Sequence, residues 1–223
     1  MAPPNKILHY VNYLKYDVLA SICTVSRPTP WPNPELTGKE PTQFWFSTKR
    51  LPAISNLHQL WYKVIDGKYI KNLPLNIEEL LTPVALAHLI MGDGYFSDDC
   101  LKICTDNFTK DEVLTLINVL DVNFGIKASI NKRTNSDGKV KWRIRVSKLS
   151  MDKLITIVSP YIIAEMYYKL PRRGPSGTQG VPSGRIKKVI LVSLVWGVLE
   201  IRQPLPILKG EGIDLYWFFW VGW

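Results

Sequence analysis

Residues 86–94 read Leu-Ala-His-Leu-Ile-Met-Gly-Asp-Gly, an apolar helical run that delivers one carboxylate, Asp93, between two glycines. Leu86, Leu89 and Ile90 recur at helical spacing. Thr82 and Pro83 just ahead supply a capping hydroxyl and a residue suited to the first helical turn. An acid at a helix C-terminus meets the unfavourable end of the backbone dipole, so a bland turn role explains Asp93 poorly. The arrangement is a device for placing a metal ligand at a helix tip, and the sequence holds one copy of it. His88 lies more than a helical turn before Asp93, which favours packing at a helix crossing over ligation for that side chain.

What must position such a carboxylate can be read from the flanking elements. Residues 110–120 place Val113, Leu116, Ile117 and Leu120 on one face of a helix whose first turn holds Asp111 and Glu112. Ile126–Arg133 alternates, with Ile126, Ala128 and Ile130 on one side and Lys127, Ser129, Asn131 and Arg133 on the other. Ser136-Asp137-Gly138 reads as a turn. Trp142–Lys148 alternates again, setting Ile144 and Val146 against Arg143, Arg145 and Ser147. Residues 150–158 predict a helix with Met151, Leu154, Ile155 and Val158 inward, ended by Pro160. With a strand at Asp99–Thr105, and Asp98 and Asp99 as turn or strand-start residues, the order is helix, strand, helix, hairpin, helix.

These residues carry a family resemblance. Residues 86–94 resemble the LAGLIDADG motif of homing endonucleases at Leu86, Ala87, Leu89, Ile90, Asp93 and Gly94. The segments Thr105–Glu112, Trp142–Lys148, Val158–Tyr161 and Met166–Leu170 are similar, in order, to the body of that family's repeat. The likeness covers residues 42–170 and is nearest to members encoded by organelle introns. It implies an α/β (α+β) fold: an antiparallel, saddle-shaped sheet backed by helices.

The resemblance also implies a chemistry. Two motif helices lie side by side, and their terminal carboxylates share metal ions over the minor groove, each serving one DNA strand. Asp93 takes that catalytic, metal-binding position, the Gly92 carbonyl is a helper ligand, and the ion is Mg²⁺, which favours carboxylate and phosphate oxygens. Lys148 matches a basic residue near the scissile phosphate, and Asn107 lies where a polar residue orients water. Leu86, His88, Leu89 and Gly92 fall at the helix interface. The pattern departs from the family at His88, where glycine is usual, and at Met91, where an acid is common. Base readers on the saddle would be Lys102, Lys127, Ser129, Asn131, Arg133, Arg143 and Arg145, with Gln43, Trp45 and Ser47 from an earlier strand. The implied activity is cleavage of a long double-stranded DNA site, in a mitochondrion. The alternative is an intron-splicing maturase, or a decayed module that binds nucleic acid without cutting it.

Charge agrees with a polyanionic partner. The 223-residue chain carries a formal charge of +9, and Lys127–Lys153 holds nine basic residues against Asp137 and Asp152. An even scatter of charge would have argued for a merely basic soluble protein. Cys23, Cys100 and Cys104 lack the spacing of a disulfide framework or a zinc cluster. The first residues carry neither a basic region followed by an apolar core nor the arginines and serines of a transit peptide.

A fainter repeat precedes the motif: helix at Leu14–Ala20, strands at Ser21–Val25 and Thr42–Thr48, helix at Ala53–Tyr62. FWFSTKRL (44–51) overlays WRIRVSKL (142–149), setting Phe46 on Ile144 and Arg50 on Lys148. The proline-rich connection (Pro28, Pro30, Pro32, Pro34, Pro41) is expected to be extended and mobile. Residues 1–73 therefore read as a first repeat without its motif helix, 74–173 as a complete repeat, and 174–223 as a linker and apolar tail extraneous to the nuclease body. The apolar run 189–201 is shorter than the ~20 residues a membrane span needs, so no membrane association is expected. Pairing with a second copy, or with an upstream half, would run through the motif helix.

Overall fold

The computed structural model describes residues 4–49, 51–134, 137–171 and 218–221. The chain forms two compact units, Met1–Asn56 with Val198–Trp223, and Leu57–Gly197.

In the first unit, α1 (Pro4–Asn12) runs on into a π-helical stretch, Tyr13–Val18. Ile7, Tyr10, Val11 and Leu14 are buried along one stripe, so the helix begins well before the expected Leu14. It closes at Val18, where Leu19 N–H donates to the Leu14 carbonyl at 2.8 Å. The strand expected at Ser21–Val25 is reduced to a single bridge between Cys23 and Thr48. The proline-rich connection is more ordered in its backbone than its composition predicts. It contains β1 (Thr29–Trp31) and the single turn α2 (Pro34–Thr37). Asn33 caps α2 by accepting the Glu35 N–H at 2.9 Å, and Gly38 ends it with a left-handed φ of 63°.

β1 pairs antiparallel with β2 (Gln43–Ser47), Thr29 opposite Trp45 and Trp31 opposite Gln43. Strand β2 buries Phe44 and Phe46 and turns Gln43, Trp45 and Ser47 to its other face, as the alternation requires. Phe46 thus matches buried Ile144 of the second hairpin; Arg50 lies outside the described residues. The free edge of β2 takes the strand Phe218–Val221, with Phe219 opposite Phe46. Four residues of the tail therefore belong to this sheet, whereas the apolar run 189–201 is outside the described residues. Helix α3 (Pro52–Trp61) follows, starting and ending one residue earlier than expected, because Tyr62 opens a strand.

The second unit begins within α3, at Leu57, and continues into a hairpin that the sequence expectations lack, β3 (Tyr62–Ile65) and β4 (Lys68–Lys71). Asp66 and Gly67 turn it with φ of 50° and 72°, the mirror-image turn an Asp-Gly pair favours. After α4 (Ile77–Leu80) comes α5 (Pro83–Asp93), capped by Thr82, whose hydroxyl accepts the Ala85 N–H. Every residue from Ala85 to Met91 is buried, so α5 is a central rather than a surface helix.

Then follow β5 (Gly94–Ser97), β6 (Cys100–Cys104), α6 (Lys110–Phe124), β7 (Ala128–Thr134), β8 (Val140–Val146) and α7 (Met151–Val158). The strands form one antiparallel sheet in the order β5-β6-β8-β7. The expected order of elements is present, with β5 added where Asp98 and Asp99 make the turn into β6. Helix α6 outruns its predicted end by four residues, to a left-handed cap at Gly125, and opens on a Thr109–Glu112 capping box. The row Ile103–Ile144–Ile130 lies on the helix-facing side of the sheet. Leu86, Leu116 and Leu154 are all fully buried on the helices behind it. Among the described residues, no helix is long and apolar enough to cross a membrane.

Gly94 joins α5 directly to β5. A Cβ there would stand 2.7 Å from the Ile90 carbonyl oxygen, which has no room to yield. Gly94→Ala should therefore destabilise the fold by about 1–3 kcal/mol, the usual cost of overpacking, read as a lower midpoint in urea.

Candidate functional site

Asp93 ends α5, and the site is built around that end. Four carbonyls at a helix C-terminus lack helical partners. Gly94 N–H caps Ile90. Lys169, the last residue of a 3-10 stretch (Ala164–Lys169), donates its ammonium to the Met91 carbonyl at 2.6 Å and the Gly92 carbonyl at 2.9 Å. Lys169 is itself buried. A cation at the negative end of the helix offsets what the Asp93 carboxylate costs there. Burial pushes Asp93 up to about 7, against the lowering pull of Lys71 and Lys169, while Asp106 adds to the rise. Burial pushes Lys169 down to about 8, with Asp93 and Cys104 pulling it back. The side chain of Asp93 keeps part of its surface open to solvent.

Lys71 arrives from the end of β4 with its ammonium 5.3 Å from the centre of the Phe108 ring. The chain just beyond is pinned by Leu73 N–H donating to Glu112 at 2.7 Å and by Asn72 N–H donating to Trp61 at 2.8 Å. Glu112 is thus both the capping-box acid of α6 and the clamp that fixes Lys71.

Beside them lies an ion pair. Arg143 on β8 donates two parallel hydrogen bonds to Asp106, 2.8 and 2.7 Å, and a third to the Tyr95 hydroxyl at 3.2 Å. The Lys141 ammonium binds the Asp106 carbonyl at 2.8 Å. Cys104, level with Arg143 across the sheet, has its thiol pushed up to about 12 by burial and stays protonated.

The residues named from sequence divide accordingly. Asp93 and Gly92 are where the motif implied, but the Gly92 carbonyl already accepts from Lys169. Lys148 is not near Asp93. Strand register sets it at the opposite end of the sheet, where it pairs with Asp99 at 3.1 Å. It leaves β8 in a 3-10 turn (Lys148–Ser150) rather than ending the strand. The basic neighbour of Asp93 is Lys169, which lies 76 positions along the chain and carries no local signal of this role. Asn107 is exposed in the turn after β6, and its predecessor Asp106 is the residue that enters the cluster. Leu86, His88 and Leu89 are buried on α5; His88 is pushed down to about 4 by burial, so it is neutral. Five residues before Asp93, it faces roughly 140° away around the helix.

The saddle face is real in its register. Tyr95, Lys102, Arg145 and Ser129 stand in one row across the sheet, and Cys104, Arg143 and Asn131 in the next. Arg143 is a correction: only 7% exposed, its guanidinium is committed to Asp106 rather than presented outward. Lys102 pairs with Asp98, and Lys127, which precedes β7, pairs with Asp121 at 2.6 Å. Arg133 and Arg145 make no ion pair among the described residues and are exposed. Gln43 and Trp45 lie on the partly exposed face of β2 in the first unit.

Among the described residues, no group of three or more His, Cys, Asp or Glu side chains could hold a metal ion. The donors suit an ion that keeps most of its waters: one carboxylate, poorly stabilised as an anion by its surroundings, while the neighbouring Gly92 carbonyl is already taken by the Lys169 ammonium. That suits a hard divalent cation completed by oxygens from outside the protein, not a closed protein cage.

The sequence pattern of the LAGLIDADG DNA endonuclease family matches residues 5–154. The chain belongs to that family. It is 38% identical over 125 residues to the cytochrome b mRNA maturase bI2 of Debaryomyces hansenii, covering 56% of this chain and 45% of that one. It is 36% identical over 133 residues to the intron-encoded endonuclease ai4 of Dictyostelium discoideum, covering 59% and 79%. The chain thus spans less than half of that maturase. Among solved structures it is similar to the homing endonuclease I-WcaI bound to its DNA recognition sequence, at a TM-score of 0.55 and 26% identity, covering 76% of this chain and 72% of that one. A LAGLIDADG motif helix whose tip is held by a distant lysine is therefore this chain's version of a family element.

Two measurements check the geometry. Because Asp93 titrates higher folded than unfolded, its protonated form stabilises the fold below about pH 4, and that contribution is lost as pH rises through about 7. In metal-free buffer, Asp93→Asn should therefore gain melting temperature relative to wild type between pH 5 and pH 8. Arg143→Ala strands the Asp106 carboxylate and should cost about 3 kcal/mol by chemical denaturation, since Asp106 keeps some solvent.

Proposed function

We propose that this chain is a metal-dependent endonuclease that cuts double-stranded DNA at a specific site, with Asp93 as its catalytic carboxylate. One observation carries the reading: the motif helix ends at Asp93, with its last carbonyls held by the Lys169 ammonium, beside a sheet that presents basic and polar rows. Such cations offset charge that develops on a phosphate during transfer. Mg²⁺, bound by Asp93, would activate water and stabilise the leaving oxygen. Lys169 would hold the helix tip through the Met91 and Gly92 carbonyls and so fix the position of Asp93. Lys71 approaches from the other side. Arg145 and Arg133 would meet the phosphate backbone or base edges, with Ser129 opposite Arg145 and Asn131 one row on, between Ser129 and Arg133 along β7.

Residues 1–73 would act as a partial first repeat and 74–173 as the complete one. The carboxylate for the opposite strand would come from a second motif helix; because Ala85–Met91 are all buried, that helix would not add to a free face of α5, as pairing through the motif helix would require. The similarity to relatives named as intron-encoded endonucleases and cytochrome b maturases supports an organelle setting, the mitochondrion. The likeness to bI2 maturases also supports a second reading, in which the same basic face binds intron RNA.

Asp93→Asn should lower cleavage of a target duplex by on the order of 10²–10⁴, while binding persists. Cleavage at wild-type rate would remove Asp93 from catalysis. Arg145→Ala should flatten the dependence of log K on log salt by about 0.9, measured by fluorescence anisotropy. Tight binding of intron RNA, with no nicking of any duplex in Mg²⁺, would favour the maturase.

A further inference from the structure

The β3–β4 hairpin takes no part in the sheet that carries the saddle; it is a two-stranded ribbon of its own. Such ribbons are marginal alone, and this one is anchored at its base. His58 stacks on Tyr62 at 4.8 Å and meets Tyr69 edge-on at 4.7 Å, and the Asn72–Trp61 hydrogen bond closes the neck. Beyond that base, three large aliphatic side chains are left in solvent, Val64 at 63%, Ile65 at 53% and Ile70 at 45%, and Tyr69, though its ring meets His58, is still 44% exposed. So much apolar surface on one short ribbon marks an interaction site.

Register says what kind. One face pairs Lys63 with Ile70 and Ile65 with Lys68, so each cross-strand pair joins a cation to an aliphatic side chain. The two lysines stand on one diagonal and the two isoleucines on the other. Aliphatic side chains flanked by cations match a deoxyribose-phosphate backbone, whose sugars are apolar and whose phosphates are anionic. Asp66 is the ribbon's one acid, against Lys63, Lys68 and Lys71. Position completes the case. The ribbon ends at Lys71, whose ammonium lies 5.3 Å from the centre of the Phe108 ring, two residues beyond Asp106 at the end of the saddle sheet where Asp93 stands. Four residues at about 3.3 Å each carry the Asp66–Gly67 turn roughly 13 Å beyond Lys71.

We propose that this hairpin is an arm that grips the duplex backbone next to the bond being cut. The inference rests on the DNA reading above but not on cleavage, because backbone contacts are independent of sequence. A fluorescein-labelled mixed-sequence duplex therefore suffices as probe. Lys63→Ala with Lys68→Ala should weaken binding by roughly an order of magnitude and flatten the salt slope by about 1.8. Ile65→Ser with Ile70→Ser should weaken binding and leave the slope unchanged. All four positions are exposed, so melting curves should match wild type. If both double variants bind like wild type while Arg145→Ala binds more weakly, the arm is wrong and the DNA reading stands. If wild type does not bind the duplex, both fail. Should the isoleucine pair change sedimentation but not DNA binding, the face is a protein contact and the proposal is overturned.

Discussion

The contact between the Lys169 ammonium and the carbonyl end of α5 holds the site together. A helix that ends in an acid accumulates negative charge: the free carbonyls, the dipole and the carboxylate itself. Here the helix is buried from Ala85 to Met91, so water reaches that charge only at the Gly92–Asp93 tip. One lysine from a segment 76 residues later satisfies two carbonyls and stands beside the carboxylate. Its ammonium is engaged by the Met91 and Gly92 carbonyls, so it neutralises the helix end through the backbone. The near-neutral titration of both groups follows from the same crowding.

Other elements serve that arrangement. Glu112 spends one oxygen on its own helix cap and the other on Leu73, and so fixes the approach of Lys71. The Arg143–Asp106 pair, with Tyr95 and Lys141 attached, braces the strand ends beside Asp93. Gly94 lets the chain leave α5 and enter the sheet with no loop between. A carboxylate delivered this way has little freedom to move, which is what a site relying on position requires.

Much of this was legible in the sequence because it is local. The motif helix, its Thr82 cap, the alternation of β7 and β8, and the apolar stripes of α6 and α7 depend on neighbours within a few residues. The failures are of two kinds. Lys169 and Lys71 reach Asp93 through tertiary folding, and nothing in their own segments marks the destination. Arg143 was misjudged because alternation assigns a side chain to a face but says nothing about what else lies on that face; Asp106 and Tyr95 claim it there. The β3–β4 hairpin was different. Its Asp-Gly turn between short β-branched and aromatic runs was a readable signal, hidden by extending the preceding helix to Tyr62.

The central claim is that burial and two lysines set the protonation of Asp93. The direct measurement is a ¹³C NMR titration of the Asp93 carboxyl in metal-free protein, compared between wild type and Lys169→Met. The account predicts a midpoint near 7 in wild type and a higher one in the variant, because removal of a nearby cation disfavours the anion. An ordinary aspartate midpoint near 4 in both proteins would contradict it.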